Sequence, residues 1–225
     1  MERNYIDACG VKLSYLESNR EKSPILFFLH GNSSSATFWD LQLNAPQLEP
    51  FRIIAFDMPA HGESDGMGPE AESYTMPGIA RVISTAIETL ARSQSYMVCG
   101  CSLGTNYLAE TLKYNLHPIG IALIGPTILG VNYTLDKVFL GNTAMDCLFS
   151  DEPVIEDYRL YLFDAIITRD AYTEETLLQN YANVKAPFRS SIMPNFLKGE
   201  ANDQIDLLTE SGIPILLIFG QTRNM

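Results

Sequence analysis

Short, mostly apolar runs recur along the chain, with helix-like stretches between them. The runs predicted to be strands are Ile25–Leu29, Arg52–Phe56, Tyr96–Cys99, Ile119–Ile124 and Ile213–Phe219. Runs of this length are typical of strands buried on both faces of a parallel sheet. Arg3–Ala8 and Val11–Glu17, joined at Cys9-Gly10, are predicted to form an opening hairpin. The alternation predicts an α/β fold in which helices cover a mostly parallel sheet on both faces.

Two helices are predicted within the first half of the chain. Thr75 is a suitable N-cap for a helix that begins at Met76, and Pro77 is tolerated in its first turn. A second helix is predicted over Leu103–Tyr114, directly after the Tyr96–Cys99 strand. This order places a turn between a buried strand and a helix at residues 100–104.

Residues 126–204 interrupt the alternation, because they are rich in aromatic residues and lack clean strand runs. We predict one domain over 1–225, with a core of residues 1–125 and 205–225 and a helical cap inserted at about 126–204. The aromatic residues have two interpretations, which some of them could satisfy together. They line an acyl pocket, or they form the small core of the cap itself.

Composition excludes several classes of function. The chain has 225 residues, and its net charge of −12 argues against nucleic-acid binding and against an anionic membrane surface. No apolar run approaches the roughly 20 residues of a membrane helix, and Met1–Asp7 has no apolar signal core. We therefore predict a soluble, cytoplasmic protein. Its four cysteines are too few for a disulfide scaffold, and neither a metal site nor a cofactor is predicted.

The most informative segment is Gly100-Cys101-Ser102-Leu103-Gly104. In a nucleophile elbow the turn is so tight that the residues two before and two after the nucleophile must be small. Centring the elbow on Ser102 places glycine at both positions, whereas centring it on Cys101 would place Leu103 at one of them. Ser102 is therefore the predicted catalytic nucleophile, at the N-terminus of a helix that favours developing negative charge.

A second segment, His30 to Ser35, follows the Ile25–Leu29 strand. Its small residues allow the backbone N–H of Asn32 to point at an oxyanion, with the N–H of Leu103 as the second donor. The alternative is an ordinary loop that caps the next helix. A third segment, Asp57 to Ser64, is predicted to be a structural loop at the rim of the site, and His61 within it to be structural rather than a base.

In this order and spacing, His30-Gly31-Asn32, the Asp57–Ser64 loop and Gly100–Gly104 resemble the α/β-hydrolase superfamily. The resemblance covers the whole chain and implies the α/β-hydrolase fold. Within the superfamily, His30–Phe38 and the stretch from Asp57 to Met76 are most similar to the α/β-hydrolase-type N-acyl-homoserine lactonases, although simple esterases share most of these residues. The resemblance implies that Ser102 forms an acyl-enzyme with a small-molecule ester or lactone. It also implies that Tyr158, at the position of a cap tyrosine in those lactonases, binds substrate.

The resemblance requires an acid and a histidine after the nucleophile, and neither is found. The tail after Phe219 carries no carboxylate, and the three histidines, His30, His61 and His117, match other positions. We therefore expect a truncated hydrolase that lacks its last strand and helix and has little activity as given. A non-catalytic ligand-binding protein and an acyltransferase using the same serine are the alternatives, and the oligomeric state stays open.

Overall fold

The computed structural model describes residues 1–134, 137, 143–165 and 171–220, and seven strands within these ranges form one sheet. They are β1 (Glu2–Ala8), β2 (Val11–Ser18), β3 (Ile25–Leu29), β4 (Arg52–Phe56), β5 (Tyr96–Cys101), β6 (Gly120–Ile124) and β7 (Ile215–Ile218). Their order is β1-β2-β4-β3-β5-β6-β7. The β1–β2 and β2–β4 pairs are antiparallel, and the other four pairs are parallel. The predicted hairpin and mostly parallel sheet are confirmed.

In the part of the chain that the structure describes, seven α-helices with given bounds follow the strands or lie between them. They are α1 (Asp40–Leu43), α2 (Met76–Ala91), α3 (Leu103–Thr111), α4 (Ile155–Ala165), α5 (Ala171–Ala182), α6 (Phe188–Leu197) and α7 (Gln204–Glu210). Short 3-10 segments are Ala36–Trp39, Pro46–Leu48, Ala71–Tyr74, Leu112–Tyr114 and Thr143–Phe149. The predicted cap of α2 is confirmed, since the Thr75 side chain accepts a hydrogen bond from the Gly78 N–H. Within the described ranges, no helix combines the length and apolar character needed to cross a bilayer.

The two faces of the sheet bury separate apolar clusters. Phe27 packs with α2 and α3 on one face, and Phe28 packs with Trp39 on the other. A third cluster joins the 3-10 segment before α4 to α4 and α5, and includes Tyr158 and Tyr181. Helices α4 and α5 therefore have packing of their own, as one of the two interpretations of the aromatic residues requires, whereas Phe188 and Ile192 of α6 join the main core.

The last strand of the sheet, β7, pairs with β6 along one edge. Its apolar side chains are largely exposed, with Leu216 at 59% and Leu217 at 54%. The strand is shorter than the predicted Ile213–Phe219, because Ile213, Pro214 and Phe219 make no strand pairs.

Candidate active site

Ser102 lies on a strained turn between β5 and α3. Its backbone is left-handed, with φ 49° and ψ −123°. The flanking glycines have no room for a side chain. A Cβ on Gly100 would lie 2.7 Å from the Gly104 carbonyl oxygen, and a Cβ on Gly104 would lie 2.5 Å from the Leu29 carbonyl oxygen. The small residues inferred from the sequence are therefore required by close backbone packing between α3, β5 and β3.

The neighbouring thiols are poor rivals for the nucleophile. Burial raises the pKa of Cys101 to about 11 and that of Cys99 to about 12. The thiolate is the reactive form of cysteine, and at neutral pH almost none of either thiol is ionised. The chemistry of the side chains and the sterics of the turn thus both favour Ser102 over Cys101.

The turn after β3 packs directly against Ser102. A Cβ on Gly31 would lie 3.2 Å from the Ser102 Cβ, so this glycine permits the close approach. The next residue, Asn32, lines the same cavity as Ser102 and Leu103. Leu103 is the first residue of α3, where backbone N–H groups have no partner in a preceding helical turn. The backbone groups predicted to hold an oxyanion therefore belong to residues that line the same cavity as Ser102.

A mostly apolar cavity of about 210 Å³ opens above these residues. Its walls come from the sheet side and from helices α4 to α6, and include Phe38, Met145, Leu148, Phe149, Tyr161, Leu162, Leu177, Ile192 and Phe196. Tyr158 also lines the cavity, although only 3% of its surface is exposed. Its ring stacks on Tyr181 at 4.1 Å, and burial raises the pKa of its phenol, which stays protonated. Tyr158 thus belongs both to the packing of the helices and to the cavity wall.

Two buried histidines, His30 and His61, lie beside the turn with their ring centroids 4.9 Å apart. The Nε2 of His30 accepts from the Met58 N–H at 3.0 Å, and its Nδ1 lies 2.7 Å from the Gly31 carbonyl oxygen. The Nε2 of His61 accepts from the Ser33 N–H at 3.2 Å, and its Nδ1 lies 3.0 Å from the Pro59 carbonyl oxygen.

Both rings are therefore neutral, with the proton on Nδ1 and the Nε2 lone pair used by a backbone N–H. Burial lowers the pKa of His30 to about 4 and that of His61 well below 6.5. With both ring nitrogens engaged, neither histidine is placed to take a proton from Ser102. The third histidine, His117, is exposed before β6. No hydrogen bond joins the Ser102 hydroxyl to any residue that the structure describes.

The Asp57–Ser64 loop, which follows β4, has a structural role beside the two histidines. The Asp57 carboxylate is fully buried and accepts hydrogen bonds from the backbone of Ala36 at 2.7 Å and of Glu63 at 3.0 Å. Arg3 pairs with the same carboxylate at 2.6 Å. A Cβ on Gly62 would lie 2.4 Å from Asp57, so the loop closes around this side chain.

The base of the elbow is fixed by a polar network that sequence reasoning missed. Thr105 Oγ1 donates to the Ser102 carbonyl oxygen at 2.6 Å, and the Thr127 N–H donates to Thr105 Oγ1 at 3.2 Å. Asn106 donates to the Thr127 carbonyl oxygen at 2.7 Å and to Gln204 Oε1 at 2.8 Å. The network joins α3, the loop after β6 and α7, whose contacts span up to 98 residues of sequence and leave no local pattern.

Comparison with known proteins agrees with this architecture. Residues 24–137 match the family model described as alpha/beta hydrolase fold. Among curated proteins, the chain is 29% identical over 132 residues to protein phosphatase methylesterase 1 of Pongo abelii, covering 57% of this chain and 31% of that protein. It is 25% identical over 115 residues to the bifunctional esterase/perhydrolase DCH of Acinetobacter calcoaceticus, covering 51% of this chain and 41% of that protein. Both matches therefore span less than half of the relative's length.

Among solved structures, the chain is similar to the N-acyl homoserine lactonase AidH complexed with N-butanoyl homoserine. The TM-score is 0.85 at 23% identity, with 98% of this chain and 78% of that chain covered. The family model matches half of this chain, and the sheet order, the elbow and the shared fold agree with it. The chain belongs to the α/β-hydrolase fold family.

Proposed function

We propose that this chain is a serine hydrolase whose Ser102 attacks the carbonyl carbon of a carboxylic ester or lactone. The observation that carries the proposal is the position of Ser102. It lies on a left-handed turn at the N-terminus of α3 and faces a mostly apolar cavity. N-acyl-homoserine lactones are one member of this substrate class, and an esterase and a lactonase are among the similar proteins.

In the proposed reaction, the Ser102 oxygen bonds to the carbonyl carbon and loses its proton to water, because His30 and His61 are engaged elsewhere. The carbonyl oxygen becomes an oxyanion, held by the N–H groups of Asn32 and Leu103 and by the positive end of the α3 dipole. Collapse of the tetrahedral intermediate releases an alcohol, which takes up the proton, and leaves an acyl group on Ser102. Water then releases the carboxylic acid and restores the serine.

The apolar walls of the cavity suit the acyl part of such a substrate. We infer that residues 126–204 act as a cap, because side chains such as Leu148, Tyr158 and Leu177 close the cavity from that side. In this proposal Tyr158 contacts the substrate with its phenol while its ring stays stacked on Tyr181. The cavity volume of about 210 Å³ favours a short acyl group.

The engagement of His30 and His61 limits the proposed activity of the 225 residues. Removing the general base of a working triad costs about 10⁴ to 10⁶ in rate. We therefore expect the chain to acylate slowly and to turn over poorly. The same observation favours a second candidate, a protein that binds acyl ligands without hydrolysing them.

A long incubation with p-nitrophenyl butyrate, followed by peptide mass spectrometry, tests the proposal. We expect one butyryl group on the peptide that contains Ser102, and no such group in Ser102→Ala. Cys101→Ala is the matched control, since it removes the adjacent thiol and should keep the label.

Label that persists in Ser102→Ala would refute the assignment of the nucleophile. Rapid turnover that depends on Ser102 would refute the expected weakness of the chain. If butyrate binds in calorimetry and p-nitrophenyl butyrate leaves no label on the protein, the result would favour the ligand-binding protein.

A further inference from the structure

Arg189 is a charged side chain in the interior of the protein. It lies on α6 and is only 1% exposed. No carboxylate within the described ranges forms an ion pair with its guanidinium. Asp151 accepts from its backbone N–H at 3.1 Å instead. Burying a cation without a paired anion is expensive, so the contacts of this guanidinium call for an explanation.

The guanidinium is held on one side by Tyr181. It donates to the Tyr181 carbonyl oxygen through Nη2, and its carbon lies 4.0 Å from the centre of the Tyr181 ring. Tyr181 is fully buried and carries Tyr158 on its ring. The arginine is thus fixed in place by the same aromatic stack that forms part of the cavity wall.

On the other side, the guanidinium reaches the turn after β3. Arg189 Nε donates to Ser33 Oγ at 2.9 Å across 156 residues of sequence. Because it receives this hydrogen bond, the Ser33 hydroxyl can direct its own proton to Asn32 Oδ1, at 2.9 Å. The other end of the Asn32 amide donates to the Leu148 carbonyl oxygen at 2.9 Å.

Ser33 needs such support, because its φ of 58° is left-handed and a residue with a Cβ adopts that conformation at a cost. Arg189 itself does not belong to the cavity lining, so it is not placed to touch a substrate. It contacts Ser33, the residue that follows Asn32, and reaches the Asn32 side chain only through the Ser33 hydroxyl.

We propose that Arg189 is a positioning residue that, by holding Ser33, fixes the Asn32 backbone N–H in the oxyanion hole. The inference rests on the proposed function, since it assigns Arg189 a role in the site built around Ser102. It predicts that loss of the guanidinium weakens the hydrogen bonds to a bound carbonyl more than it weakens ligand binding.

The test uses the full chain with Ser102→Ala, so that an ester binds without reacting. Hydrogen bonds in an oxyanion hole lower the stretching frequency of a bound ester carbonyl. Difference infrared spectra with carbonyl-labelled p-nitrophenyl butyrate measure this shift, and calorimetry measures the Kd. In Arg189→Met we expect the shift to fall by about half or more while Kd changes by less than about threefold. Arg159→Met is the matched control, because Arg159 is an exposed arginine paired with Glu156 and Glu174.

If folded Arg189→Met shows the same shift of the carbonyl stretching frequency as the Ser102→Ala parent, the inference is overturned. If that variant does not fold, Ser33→Ala decides, because it removes the link and leaves Arg189 on Tyr181. A full shift in Ser33→Ala would likewise overturn the inference. Failure of the proposed function looks different, because the parent Ser102→Ala protein would then bind no ester or show no shift.

Discussion

Two turns meet at the proposed site, and they are held in different ways. The elbow of residues 100–104 is fixed by backbone packing, because its glycines touch carbonyl oxygens of α3 and β3. The turn of residues 30–35 is fixed by polar side chains, since Ser33 bonds to His61, Asn32 and Arg189. Apart from the polar network at its base, the proposed nucleophile therefore depends on sterics close to it, whereas the proposed oxyanion donor depends on uncharged histidines and on a distant helix.

The largest expected effect comes from filling the space inside the elbow. Gly104→Ala would place a Cβ 2.5 Å from the Leu29 carbonyl oxygen and 2.6 Å from that of His30. Since both neighbours are backbone atoms, α3 and β3 must separate, and we expect a loss of about 3 kcal/mol in the free energy of unfolding. Urea unfolding measures this loss.

Gly120→Ala is the control for that substitution, because the new Cβ would meet atoms no closer than 3.6 Å. We expect it to change the free energy of unfolding little. Equal effects of the two substitutions would mean that backbone contact does not hold the elbow.

A drop in pH acts on the polar turn of residues 30–35 and is expected to lower the free energy of unfolding by an intermediate amount. The pKa of His30 is lowered from 6.5 to about 4 in the folded chain, and the pKa of His61 is lowered too. The unfolded chain therefore binds more protons below pH 6.5, and stability is lost as the pH falls from 6.5 toward 4. Between pH 7 and pH 5, His30 alone accounts for about 2 kcal/mol of this loss.

Urea unfolding at pH 7 and pH 5 measures the loss. His117→Gln should leave it unchanged, because that histidine is exposed. Equal stability at the two pH values would contradict neutral, hydrogen-bonded rings beside the turn.

The smallest expected effect is on stability, and it distinguishes the contribution of the Ser33 backbone from that of its hydroxyl. Ser33→Ala and Ser33→Gly both remove the hydrogen bonds of Oγ, but only glycine adopts φ 58° freely. We expect Ser33→Gly to be the more stable of the two by about 1 kcal/mol in thermal unfolding. A more stable Ser33→Ala would show that the left-handed backbone costs nothing here.

The contrast between local packing and contacts distant in sequence also explains how much of the molecule could be predicted from its sequence. The strands Ile25–Leu29 and Arg52–Phe56 were predicted to the residue, because each apolar run is bounded by polar or turn residues. The first helix after Ser102 was predicted to extend to Tyr114, but α3 ends at Thr111 and continues as a 3-10 turn. Asn115 then adopts a left-handed backbone, which ends the turn.

The candidate site divides along similar lines. Ser102, Asn32 and Leu103 could be predicted because an elbow and a turn after a strand have local signatures, and the prediction of Tyr158 came from the family resemblance. Arg189 carries no such signature, since its partner Ser33 lies 156 residues away. From the sequence alone, Arg189 would be placed at the surface. Only the fold shows that it is buried and bonded to Ser33.

The hydrogen bond from Arg189 to Ser33, which joins segments 156 residues apart in sequence, also implies an order of assembly. Contacts between segments far apart in sequence form late in folding, because the chain must first close a large loop. The glycine packing of the elbow involves only β3, β5 and α3, whereas the turn is complete only once α6 has docked. A partly folded chain would therefore carry the packed glycines of the elbow beside an incomplete turn, and docking of α6 would be a step that completes the proposed site.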